Sequence, residues 1–135
     1  MTEQERVIGG TTYKVRPLGH TLARKVFVRA AKAIGPAAAA AAEDPAKAVG
    51  ALVENVTDSD LEWIADVFGK VTQYEGPDGW PFLHKDAREL RFGGGKLFEF
   101  FEWLAFCLEV NYADFFAFAK LVSADAARER NQSPS

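Results

Sequence analysis

Cysteine occurs once in the 135 residues, as Cys107, so the chain has no internal disulfide and no cysteine-based zinc site. Histidine occurs twice, as His20 and His84, far apart and outside any recognisable ligand or catalytic spacing. No apolar run approaches the roughly 20 residues that span a bilayer, and the charge-free block in the aromatic-rich end runs only from Trp103 to Leu108. A membrane-spanning role is therefore not expected. The opening Met-Thr-Glu-Gln-Glu-Arg predicts no secretory leader and a cytoplasmic location. Net charge is small, −3 at pH 7, which argues against a general nucleic-acid binder. What is present is one domain's length of chain, 48% apolar and 13% aromatic, whose stability must come from packing.

The charge that exists is unevenly placed. Residues 1–34 carry seven Lys/Arg against two Glu, whereas residues 43–66 carry seven Asp/Glu against Lys47 alone. A basic end and an acidic middle follow, read either as two solvated helix faces or as complementary patches for head-to-tail contact between subunits.

Two β-prone runs, Arg6-Val7-Ile8 and Thr11 to Arg16, flank Gly9-Gly10, the pair that a two-residue turn with positive φ at both central positions requires. The spacing predicts a β-hairpin over about residues 5–16, with Ile8 opposite Thr11 and with Arg6, Ile8, Tyr13 and Val15 on one face. From His20 to Ile34, Leu22, Ala23, Val26, Phe27, Ala30 and Ile34 recur at helical spacing, with Arg24, Lys25, Arg29 and Lys32 off the stripe. The alanine run 37–42 reads as a solvated short helix or a soft linker. Asp44-Pro45 opens a helix running to about Asn55 and burying Val49, Leu52, Val53 and Val56. Residues 57–62 hold overlapping N-cap signals, Ser59 with Glu62 among them in capping-box spacing, ahead of a stripe of Leu61, Ile64, Ala65, Phe68 and Val71. Gly76 to Pro81 reads as an exposed loop, followed by a short helix around Lys85 to Arg91.

Ten of the 17 aromatics fall between Phe92 and Phe118, which places the main core in the last third. A helix is expected from Lys96 to about Val110, with Glu99, Glu102 and Glu109 on one side and the rest apolar. Asn111 is then a candidate N-cap for a last helix to about Arg128. The fold class expected is mainly α: an N-terminal β-hairpin and a compact bundle of about four helices in one domain over residues 1–128, with a flexible tail over 129–135.

Chemistry is scarce. His20 and His84 read as surface residues, and Cys107, between Phe106 and Leu108, as an inert core thiol. Gly93-Gly94-Gly95-Lys96 is no phosphate loop, because Leu90 and Leu97 stand where that pattern needs Gly and Ser/Thr. The basic helix lacks the interleaved exposed aromatics of a single-strand binder. Aromatic surplus is the more telling feature: Phe106, on the side of the three glutamates, looks hard to bury without a partner, so Phe106→Asp is expected to spare the fold and impair assembly, and Trp103→Ala to unfold it.

Residues Val7 to Leu18, the following Leu22-Ala23-Arg24-Lys25, the segment Asp58-Ser59-Asp60-Leu61-Glu62-Trp63 and the run from Trp103 to Phe116 together resemble small tail assembly chaperones of long-tailed bacteriophages and prophages. That resemblance implies a non-enzymatic, self-associating protein of the host cytoplasm, without cofactor or metal and with neither nucleic acid nor membrane as partner. Its client would be the aggregation-prone tape-measure protein, coated during tail building and released as tube subunits polymerise. Phe98, Phe101, Trp103, Phe106, Phe115 and Phe116 mark the region expected to hold the client or subunit contacts. A structural tail or connector component of the virion and a small helical adaptor remain the alternatives.

Overall fold

A computed structural model of the chain describes residues 3–34 and 45–113. The hairpin forms as expected: β1 (Gln4–Ile8) and β2 (Thr11–Val15) pair antiparallel with Ile8 opposite Thr11 and Arg6 opposite Tyr13. Gly9 and Gly10 take φ of 57° and 80°, the left-handed geometry that the two-residue turn needs. Ile8, Tyr13 and Val15 are buried on the inner face.

Helix α1 spans His20–Ile34 and α2 spans Pro45–Asn55, the limits their flanking residues predict. Val26 and Ala30 are buried on α1, but Leu22 is exposed, at the edge of the stripe. On α2 the buried set is Ala48, Val49 and Leu52, whereas Val53 is exposed. Val53 lies about 100° or more round the helix from Leu52 and Ala48, and α1 covers only one side of α2. Asp44 and the alanine run 37–42 lie outside the described residues.

Helix α3 runs Asp58–Gly69, and its N-cap is Thr57, whose hydroxyl accepts from the Asp60 amide at 3.1 Å. Ser59, the expected capping-box residue, falls inside the first turn instead, because the helix already starts at Asp58 with Thr57 as its cap. Arg29 of α1 ion-pairs with Asp60 at 3.5 Å and lies over the Trp63 ring at 3.9 Å, so part of the charge asymmetry is answered within the chain.

After α3 comes a third strand, β3 (Thr72–Tyr74), which pairs antiparallel with β2 and gives the sheet the order β1-β2-β3. Three residues are too few to show a strand period, so nothing in the sequence announces it. The following loop folds back along β3: Tyr74 donates to Pro81 O at 3.1 Å, Leu83 donates to Thr72 O at 2.9 Å, and Gln73 Nε2 donates to Trp80 O at 2.9 Å. Lys14 Nζ sits 3.9 Å above the Trp80 ring and fastens the loop to the outer face of β2.

Helix α4 (Lys85–Phe92) and helix α5 (97–113) complete the described fold, which is mainly α with an N-terminal hairpin and holds five helices among the described residues. Asn111 does not cap a new helix. It lies within α5, where its Nδ2 donates to Cys107 O at 2.9 Å and its Oδ1 accepts from the Leu18 amide at 2.6 Å, so both ends of the amide are already used. The expected helix to Arg128 and the tail 129–135 lie outside the described residues.

Trp103 is the centre of the core. Its ring stacks on Phe92 and tilts against Phe100, both with centroids 5.8 Å away, and its Nε1 donates to Thr72 Oγ1 at 3.1 Å. Thr72 in turn donates to Phe68 O at 2.8 Å, so the buried hydroxyl is used both ways. Burial pushes the Cys107 thiol and the Tyr112 phenol well above their ordinary values, and it raises the Tyr13 phenol despite the Arg91 side chain beside it, which lowers it. All three folded values exceed the unfolded ones, so the stability they contribute is complete below about pH 8.5 and is lost as pH rises. The unfolding free energy should stay level near neutrality and fall above about pH 9, by about 1.4 kcal/mol per pH unit from the wholly buried Cys107 thiol alone, and the midpoint of urea unfolding should follow it. A midpoint that stays level to about pH 11 would contradict burial of these groups.

Candidate protein-binding site

The six aromatic candidates separate sharply. Trp103 and Phe106 are 0% and 1% exposed and belong to the core, Phe101 is half-buried, and Phe98 is 81% exposed. Phe115 and Phe116 lie outside the described residues. The expectation that Phe106 needs a partner is therefore corrected: the hairpin of the same chain covers it. Arg6 of β1 holds its guanidinium 4.5 Å from the centre of the Phe106 ring and pairs with Glu109 at 2.7 Å. Glu99 lies against the Gly9 turn so closely that a Cβ on Gly9 would fall 1.3 Å from its carboxylate oxygen. Of the glutamates on this side of α5, Glu109 meets Arg6 of β1 and Glu99 the bare Gly9 turn, so these two mark a covered face, whereas Glu102 is exposed.

Surface that is truly apolar gathers instead around the Gly93-Gly94-Gly95 turn between α4 and α5. Leu90 is 84% exposed and Leu97 is 59% exposed, and neither stood out in the sequence. The signal was there in α4: Arg88 and Phe92, four residues apart, are the buried pair, which puts Leu90 on the opposite face. Finding it requires accepting a buried arginine over a leucine. Gly94 and Gly95 have φ of 62° and 90°, so the chain reverses tightly here and brings α5 in beside α4.

Beside this turn lies a cleft of about 200 Å³, walled by Ala65, Phe92, Leu97 and Phe100 and rimmed by Glu62, Lys85 and Glu89. Arg88 holds the cleft together. Its side chain is 8% exposed, pairs with Asp66 and with Glu62 at 3.5 Å, and donates to Leu83 O at 3.2 Å. A buried guanidinium so partnered is costly to disturb, because removing its acceptors leaves the charge uncompensated. Close approach of these groups also explains Gly69: a Cβ there would lie 2.3 Å from Leu83 O and 2.7 Å from Arg88 Nη1.

An apolar cleft with a charged rim, with the exposed Leu97 in its wall and the exposed Phe98 next to it in the chain, suits the apolar stripe of another chain. Both histidines are exposed, and the Cys107 thiol is buried, with burial pushing its pKa up. Among the described residues no cluster of His, Cys, Asp or Glu is arranged to hold a metal ion, and no helix is long and apolar enough to cross a membrane.

A family model described as phage tail assembly chaperone protein, TAC, matches residues 9–123, from the hairpin turn to beyond α5. No curated protein and no solved structure matches the chain.

Proposed function

Because the chain belongs to the phage tail assembly chaperone family, we propose that it binds the tape-measure protein and keeps it soluble while the tail is assembled. On this reading the protein works in the host cytoplasm, makes or breaks no bond and needs no cofactor. The observation that supports it is the exposed Leu97 in the wall of the cleft, followed in the chain by the exposed Phe98. Large apolar side chains left in water are a standing cost, and each contributes about 1.5–3 kcal/mol when a partner covers it fully. At the start of α5, beside a shallow cleft, they offer an apolar surface to the stripe of a helical client.

Co-expression with the tape-measure protein of the same phage tests this. Wild type should bring the client into the soluble fraction and co-purify with it. Phe98→Asp should change thermal stability little, because an exposed position rarely matters by more than about 0.5 kcal/mol, yet should cut soluble client several-fold. A Phe98→Asp protein that protects the client as well as wild type would overturn the assignment of this site.

A further inference from the structure

We propose that the free edge of β1 takes up an extended segment of another protein as a fourth strand, one that carries Lys or Arg on the face turned to α5. Its use does not depend on client binding at the cleft. The two outer edges of the sheet β1-β2-β3 are finished differently. The loop after β3 closes that side: the Leu83 amide donates to Thr72 O, the Tyr74 amide to Pro81 O, and Gln73 bridges to Phe82. Across from β1 no strand or loop pairs among the described residues. This edge also lacks the usual guards, since its five residues keep one-to-one register with β2 and include no bulge, proline or lysine.

The hydrogen bonds fix which groups the edge offers. Thr12 O accepts from the Glu75 amide and the Arg16 amide donates to Val71 O, so Thr12 and Lys14 turn their backbone groups to β3, and Thr11, Tyr13 and Val15 turn theirs to β1. The partners of those three, Ile8, Arg6 and Gln4, spend their backbone groups on β2, which leaves the N–H and C=O of Glu5 and Val7 aimed outward. Val7, 64% exposed, stands on the outer face of the sheet, where a β-branched side chain of an added strand would pack against it. On the inner face an added strand meets acid. Glu102 lies about 40° round α5 from Phe106, which Arg6 of β1 covers, yet Glu102 is exposed, so the hairpin stops short of it. Glu109 has Arg6 for a partner, whereas Glu102 has no ion pair among the described residues. A strand laid beyond β1 therefore holds its inward side chains near an unanswered carboxylate, which selects Lys or Arg there.

Amide hydrogen exchange on the full-length chain, with and without the synthetic peptide Thr-Val-Lys-Val-Arg-Val-Thr, tests the proposal. The peptide should slow exchange at Glu5 and Val7 several-fold and leave Arg6 and Ile8, already bonded to β2, little changed. The same peptide with Glu in place of Lys and Arg should protect much less. Val7→Pro removes an outward N–H that β2 does not use, at an edge position where proline is tolerated. That variant should melt close to wild type and bind the basic peptide about ten-fold more weakly, the worth of one backbone hydrogen bond. Glu102→Lys, an exposed change that leaves the strand intact, should reverse the preference between the two peptides. Wild-type Glu5 and Val7 amides that ignore the basic peptide overturn the proposal, as does Val7→Pro or Glu102→Lys binding that matches wild type. Protection of those amides that grows with protein concentration alone, and not with peptide, gives the edge to a second copy of the chain and overturns it too.

Discussion

Trp103→Ala should remove about 3–5 kcal/mol of stability, the cost of deleting a large buried aromatic, which is a large share of the roughly 5–15 kcal/mol that holds a domain of this size folded. Three losses combine. The void opens between Phe92 and Phe100, whose rings both pack on the indole, so neither can close it without abandoning the other. Thr72 loses the donor on its hydroxyl, although its own bond to Phe68 O remains. Finally, Thr72 is where β3 meets α5, so the void falls at the seam between sheet and helix. Denaturant unfolding should show a much lower midpoint, with Trp103→Phe falling between the two because it refills most of the volume and forfeits only the N–H. A Trp103→Ala protein with wild-type stability would mean that the indole is not the centre of the core.

Phe106→Asp should be comparably damaging, contrary to what the sequence suggests. The side chain is 1% exposed under the hairpin, and a carboxylate there has only Arg6 within reach. Arg6 already serves Glu109, so pairing with the new acid would release the old one. An unpaired buried charge costs several kcal/mol, and the lost aromatic burial adds to it. Circular dichroism and thermal melting separate the two readings. An unfolded or strongly destabilised variant agrees with the structure, whereas a stable variant that merely fails to assemble would restore Phe106 to an interface. Phe106→Leu, which keeps the site apolar, should melt close to wild type.

The contrast between Phe98 and Phe106 shows where sequence reasoning stops. Both are phenylalanines on one helix, and periodicity alone ranks them alike. What separates them is a strand about a hundred residues earlier, whose arginine lies over one ring and not the other. Local signals were legible where chain chemistry leaves no choice: Gly9-Gly10 demands a hairpin turn, Pro45 starts a helix, and the glycines after Phe92 end one. Strand β3 was hidden because its partner is β2, far back in the chain, and three residues carry no pattern of their own. Asn111 misled for a related reason. An asparagine after an apolar stretch is a good cap unless something distant claims its oxygen, and here the Leu18 amide does.

Three side-chain links join the first strands and helix to the end of α5: Arg6 to Glu109, Leu18 to Asn111, and Ala23 to Tyr112, bridging 103, 93 and 89 residues of chain. At a synthesis rate of about 5–20 residues per second, the hairpin leaves the ribosome roughly 5–20 s before the partners that close over it. Throughout that interval Ile8, Tyr13 and Val15 have no lid. Folding of this domain thus waits for α5, and a message cut short within that helix yields a chain that presents its own apolar face uncovered.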